Sequence, residues 1–300
     1  MGSIESNLQE VKRRISGAAL ACGRQPSVVR LLAVSKTFGA DAVRQAHAAG
    51  QRDFGENYVQ EALAKIVALN GLRPHIEWHL IGPLQSNKTR AVAEAFDWVQ
   101  SVDRLKIAQR LAEQRPAWLP PLQLCLQINI SGETSKSGVL PGDAAALALA
   151  VAALPRERVV LRGLMAIPEP AGDFDAQRVR HRALRELLAT VNARGLALDT
   201  LSMGMSADLE AAVAEPDVAA LRVRLERDPA DAAARHALAA HHALAGDYGT
   251  ALAEWLELMR RDRRFGDEAA RRSLLLAFTV LGEGDELVSA YRRRMASLLH

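Results

Sequence analysis

Seven times in its first 215 residues the chain alternates a short apolar run with a longer stretch of helical composition, and then the alternation stops. The apolar runs are residues 29–35, 53–55, 78–81, 98–101, 122–130, 160–166 and 200–203. The helical stretches are 40–49, 59–69, 88–95, 104–114, 143–154, 174–194 and 206–214. A further helix opens the chain, because Ile4, Leu8, Val11 and Ile15 share one helical face. Repeated strand–helix units with apolar strands predict a parallel sheet covered by helices. This many units favour a TIM-type (β/α) barrel over an open sheet. Closure needs an eighth strand, and none is recognisable: after Ala214 the sequence passes through Glu215-Pro216-Asp217 straight into helix.

Composition changes at the same point. From Pro216 to His300 there is no Lys, Asn or Gln, and all six lysines (12, 36, 65, 88, 106 and 136) precede it. The tail balances 13 Arg against 13 Asp plus Glu and holds no strand-like segment. Two domains are therefore expected, residues 1–215 and 216–300. A net charge of +3 is too small for the concentrated basic face of a nucleic-acid binder. No apolar run approaches the roughly 18–20 residues of a membrane span. Met1-Gly2-Ser3-Ile4-Glu5 lacks the layout of a signal peptide, so a cytoplasmic location is expected. Cys22 and Cys125 lack partners at ligand spacing and are expected to be reduced thiols, with no metal site.

In such a barrel, functional groups gather at the C-terminal ends of the strands. Lys36 follows Leu31-Leu32-Ala33-Val34 and is either an amine able to form an imine or a lysine that ends a strand in water. Ser202-Met203-Gly204-Met205-Ser206 precedes a helix; it suits a phosphate, and Ser206 also suits an N-cap. His79 is a satisfied core histidine or a catalyst. Asn57 and Asn129 orient a bound ring or stitch loops. Lys136, between Ser135 and Ser137, is a second amine or a solvated loop lysine. Met165 lies at the end of the sixth strand. No GxGxxG, P-loop, HExxH or GxSxG sequence is present.

Three strings stand out: Leu32-Ala33-Val34-Ser35-Lys36-Thr37, Phe54-Gly55-Glu56-Asn57-Tyr58-Val59-Gln60-Glu61 and Trp78-His79-Leu80-Ile81-Gly82-Pro83-Leu84-Gln85-Ser86-Asn87-Lys88. With Gln127-Ile128-Asn129, Ser135-Lys136-Ser137-Gly138, Gly163-Leu164-Met165-Ala166-Ile167-Pro168 and Leu201-Ser202-Met203-Gly204-Met205-Ser206, they closely resemble the pyridoxal phosphate homeostasis protein family over residues 1 to about 215. The resemblance implies an alanine-racemase-type barrel that binds pyridoxal 5'-phosphate as an internal aldimine on Lys36. It implies a cofactor site of Lys36, Asn57, Met165, Ser202, Met203, Gly204, Met205 and Ser206, with His79, Asn129 and Lys136 secondary. The implied role is cofactor carriage and regulation, not established catalysis; a racemase would need a second acid/base. Family members continue into a final strand with an Arg-x-Gly-Thr segment, which this chain lacks, so weaker cofactor retention is expected.

The tail is similar to a different family. Asp228-Pro229-Ala230-Asp231, Ala245-Gly246-Asp247-Tyr248, Arg261-Asp262-Arg263-Arg264 and Asp267-Glu268-Ala269-Ala270-Arg271-Arg272 resemble the C-terminal tetratricopeptide repeats of thioredoxin-like co-chaperones. The resemblance implies a protein partner; a plain helical appendage is the alternative. The chain thus reads as a chimera: a cofactor-binding barrel with an interaction module, or a co-chaperone-like factor with the barrel as scaffold.

Overall fold

The computed structural model describes residues 3–22, 24–132, 137–169, 171–214, 218–244 and 246–298. Its chain contacts divide into two compact units, Met1–Lys12 with Arg30–Ala212, and Arg13–Val29 with Val213–His300.

In the first unit, strands β1 (Ala33–Val34), β2 (Asp53–Glu56), β3 (Glu77–Leu80), β4 (Trp98–Val102), β5 (Leu122–Gln127), β6 (Val159–Met165) and β7 (Thr200–Ser202) form one parallel sheet in sequence order. The chain opens with α1 (Ile4–Ala21), of which the residues up to Lys12 fall in this unit and those from Arg13 in the second, and the strands are separated by α2 (Ala40–Ala48), α3 (Val59–Ala68), α4 (Thr89–Ala95), α5 (Leu105–Gln114), α6 (Pro141–Ala152) and α7 (Phe174–Asn192); α8 (Leu209–Val213) follows β7. The seven strands of the sheet lie side by side in chain order, without closure. β1 and β7 are its edges, and no eighth strand pairs with either among the described residues.

Alternation along the strands sorts side chains between the two faces. Phe54, Trp78, Leu80, Val99, Leu124 and Leu164 are buried in one core with residues of the covering helices, such as Ile107, Ala108 and Leu111 of α5. The neighbours on the other face are different in kind: Trp98, Cys125 and Met165 make a small separate apolar cluster. His79, Gln100 and Ser202 share that inner face.

Three elements are shorter than their apolar runs. β1 covers two residues of the expected 29–35, because an edge strand has only β2 to bond with. β5 stops at Gln127 of the expected 122–130: Asn129 N donates to Val139 O at 2.9 Å, which carries the chain out of the sheet. α8 begins at Leu209, not at 206, after a turn through 206–208.

The second unit holds α9 (Val218–Arg227), α10 (Ala232–Leu244), α11 (Tyr248–Arg261), α12 (Ala269–Leu281) and α13 (Glu286–Ser297). Leu252, Trp255, Leu258, Leu274, Phe278 and Tyr291 meet in its core. Asp247 caps α11 by accepting from Thr250 N at 3.1 Å, and Asp285 caps α13 by accepting from Leu287 N at 2.7 Å. No described helix is long and apolar enough to cross a membrane.

Candidate functional site

Lys36 sits in a turn directly after β1, and its side chain is exposed. It makes no hydrogen bond or ion pair with the described residues, whereas both of its neighbours are tied down. Ser35 Oγ donates to Glu56 Oε1 at 2.6 Å, Lys65 Nζ donates to Ser35 O at 2.8 Å, and Thr37 N donates to Glu61 Oε1 at 2.7 Å. Lys65 Nζ also lies 2.5 Å from Glu56 Oε1 and 3.3 Å from Glu61 Oε1. The Lys65 and Glu56 side chains are only 4% and 0% exposed, so this is a buried ion pair. Thr37 adopts a φ of 67°, a left-handed turn that the Glu61 contact holds in place. A fixed backbone with a free amine at its centre is the outcome. Glu56 and Glu61 belong to one of the strings that carry the resemblance, but no role was assigned to them or to Lys65; the four-residue spacing of Glu61 and Lys65 was the one local sign.

Asn57 is partly buried, and its Oδ1 has no hydrogen-bond partner. Gly82 packs against its backbone so closely that a Cβ there would lie 2.2 Å from Asn57 O. Asn57 thus has an acceptor to offer and a backbone that cannot shift.

His79 is buried and stacked on Trp98, ring centroids 5.3 Å apart. Gln100 Oε1 accepts from Ser202 Oγ at 2.6 Å, and Gln100 Nε2 lies 3.0 Å from His79 Nδ1. With its oxygen engaged, the amide donates to Nδ1, which leaves the proton of neutral His79 on Nε2. That nitrogen faces Asp53 Oδ1 at a long 3.4 Å. Burial pushes the Asp53 carboxyl up, but His79 and Arg30 outweigh it and hold it below the usual range. Asp53, Glu77 and His79 could converge on a cation. The Arg30 guanidinium bonds both carboxylates, and Trp98 Nε1 donates to Glu77 Oε2 at 3.1 Å. His79 is thus linked, through Gln100, to Ser202 on the same face of the sheet. Met165 is likewise buried, against Trp98 and Cys125.

Beyond β7, Gly204 has a φ of 87°, and a Cβ there would lie 2.7 Å from Ala212 Cβ, so only glycine fits. Met203 packs on the core, while Met205 and Ser206 are exposed. Asp208, just before α8, accepts from Met205 N and pairs with buried His181 Nε2 at 3.1 Å. Burial lowers the His181 pKa, with Asp208 opposing that shift. Asp208 places a carboxylate next to the start of α8.

Met205 also borders a cavity of about 340 Å³ with Asn129, Ser131, Ser137, Ile167 and Pro168. Asn129 Oδ1 accepts from Gly132 N at 3.1 Å, so this side chain stitches its own loop. Lys136 and Ser135 lie outside the described residues. An exposed free amine after one edge strand and a glycine-turned loop of small residues after the other match the two ends of an aldehyde phosphate. The residues present therefore fit pyridoxal phosphate, without the wall that a closing strand would add.

The alanine racemase N-terminal domain family matches residues 2–224, and a tetratricopeptide repeat family matches residues 211–300. The pyridoxal phosphate homeostasis protein of Pseudomonas aeruginosa is 62% identical over 215 residues, covering 72% of this chain and 90% of the relative. That of Escherichia coli K12 is 54% identical over 215 residues, covering 71% and 91%. The structure of PipY of Synechococcus elongatus with pyridoxal phosphate bound superposes with a TM-score of 0.58 at 39% identity, covering 68% of this chain and 93% of that one.

Proposed function

Because the chain belongs to the alanine racemase N-terminal domain family over residues 2–224, and within it to the pyridoxal phosphate homeostasis proteins, we propose that it binds pyridoxal 5'-phosphate on Lys36 and serves cofactor homeostasis. One observation carries this: the Lys36 amine is exposed and unengaged at the centre of a turn whose flanking residues are fixed by a buried ion pair. When bound, the cofactor supplies an aldehyde that condenses with a primary amine and a phosphate that needs donors. Lys36 would hold the first. The Ser202–Ser206 segment would receive the second, with Gly204 giving the close backbone approach. With the Ser202 hydroxyl proton committed to Gln100 and Met205 N to Asp208, the donors would be the remaining backbone N–H groups of the segment. Asn57 would offer its free acceptor. Residues 1–215 would act as the cofactor domain of a cytoplasmic protein.

Residues 216–300 are proposed as a separate protein-interaction module, supported by the tetratricopeptide repeat match at 211–300. A co-chaperone-like role for the whole chain is the second reading, and it predicts client binding that survives loss of the Lys36 amine.

The test is covalent. Full-length protein incubated with pyridoxal phosphate and reduced with borohydride should carry the adduct on Lys36 by peptide mass spectrometry, and Lys36→Ala should not. Equal total labelling of wild type and variant would overturn the assignment.

A further inference from the structure

Lys36 follows the C-terminal end of β1; at the opposite, N-terminal end of the parallel sheet, a buried nitrogen has nothing to bond. His79 is 5% exposed, and its Nε2 makes no hydrogen bond. It is aimed at the two carboxylates that open the neighbouring strands β2 and β3. Asp53 Oδ1 lies 3.4 Å from it and Glu77 Oε2 3.9 Å, and the three atoms are within 4.8 Å of one another.

Arg30 Nη2 stands between the carboxylates, bonded to Asp53 Oδ1 and 3.0 Å from Glu77 Oε2. It brings one positive charge to two negative ones, and its side chain is 57% exposed. A guanidinium only donates, so it gives nothing to the His79 N–H. A metal ion can satisfy all three groups together. Tetrahedral zinc, with bonds of about 2.0–2.2 Å, holds its ligand atoms about 3.3–3.6 Å apart. The His79–Asp53 spacing falls in that range. The His79–Glu77 spacing is just beyond it, within a small swing of the half-exposed Glu77 side chain.

We propose that Asp53, Glu77 and His79 form a zinc site, with water as the fourth ligand and Arg30 as the cation that the metal displaces. Imidazole and carboxylates are ordinary zinc ligands, and two carboxylates balance the charge of the ion. Ligation through Nε2 requires the proton of neutral His79 to sit on Nδ1. Gln100 accommodates it by turning its amide over: Oε1 then accepts from Nδ1–H, and Nε2 donates to Ser202 Oγ in place of the present bond. Metal-bound histidines are held by such a partner on their other nitrogen. Trp98 Nε1, which donates to Glu77 Oε2 at 3.1 Å, orients the second carboxylate in the same way.

Isothermal titration calorimetry of the full chain with zinc chloride, after chelator treatment and without pyridoxal phosphate, tests this. Wild type should take up a zinc equivalent whose affinity H79Q and D53N each weaken about tenfold or more. R30Q should tighten it about threefold or more, because the ion no longer competes with two surface ion pairs. H242Q, which removes an imidazole beside Asp247 in the helical unit, should leave the isotherm unchanged. Far-ultraviolet circular dichroism checks the fold of each variant, and R30Q, at an exposed side chain, decides the matter where H79Q or D53N fails to fold. A wild type that takes up no zinc overturns the proposal. So does binding that H79Q and D53N leave intact, binding that H242Q abolishes, or an R30Q variant that binds more weakly than wild type.

Discussion

Replacing Lys65 by methionine keeps an unbranched side chain, shorter by the terminal nitrogen, and removes its charge. Three contacts go at once: 2.5 Å to Glu56 Oε1, 2.8 Å to Ser35 O and 3.3 Å to Glu61 Oε1. Glu56 is then a carboxylate at 0% exposure held by the Ser35 hydroxyl, with its Oε2 already unpartnered. Breaking a buried pair by removing one member costs about 3–5 kcal/mol, whereas exposed pairs contribute about 0–1 kcal/mol. For a unit of this size that predicts a fall in Tm of roughly 6–20 °C. Differential scanning calorimetry of K65M reads it directly. R44A, which removes the exposed Arg44–Asp41 pair, should shift Tm by only a degree or two and serves as the comparison. The double variant E56Q/K65M should regain most of the loss, since no uncompensated charge remains. A K65M transition that coincides with wild type, or a double variant worse than K65M, would refute the buried-pair account of how the Lys36 turn is held.

Burial of His181 depresses its pKa below the unfolded value of about 6.5. The unfolded chain therefore takes up the proton more readily. Stability from this group is complete above that value and declines as pH falls below it, toward the lower folded pKa. H181Q should flatten the slope of urea midpoint against pH in this window; an unchanged slope refutes the assignment. Cys125 is fully buried with its thiol pushed up to about 12, and Cys22 is partly exposed, so native protein should react with Ellman's reagent at Cys22 and yield Cys125 only on unfolding. G204A forces an alanine to a φ of 87° against Ala212 and should lose about 1–2 kcal/mol from the left-handed backbone alone. It should also show a larger fall in pyridoxal phosphate retention on gel filtration than S131A, at the cavity side. Equal retention by the two would separate the phosphate from the Gly204 loop.

The seven strand–helix units were legible because strands covered by helices need unbroken apolar runs, and these recur at a readable spacing. Strand ends were not, because they depend on what lies alongside. Residues 29–32 have strand composition but no neighbour to pair with, and from Asn129 the chain bonds Val139 instead of β6. Lys36 was visible by position, but its support was hidden. Glu56 and Lys65 come from a strand and a helix, and nothing in the intervening residues says that the two side chains turn toward each other. Gln100 and Ser202 meet across 102 residues of chain. For His79 and Asn129 the sequence left two roles open; the structure adds the neighbours, a histidine stacked on Trp98 beside Gln100 and an amide that accepts from Gly132 N.

Because the backbone on both sides of position 36 is already ordered by folding, a covalent bond at its amine has only the four-carbon stem left to immobilise, a loss of about 1.5–2 kcal/mol at most. That low threshold is indiscriminate. It favours any small carbonyl compound that reaches the amine as much as it favours the right one. On the proposed reading, choice among aldehydes would fall to the far end of the visitor, where the loop after β7 would tell a phosphate from a hydroxyl.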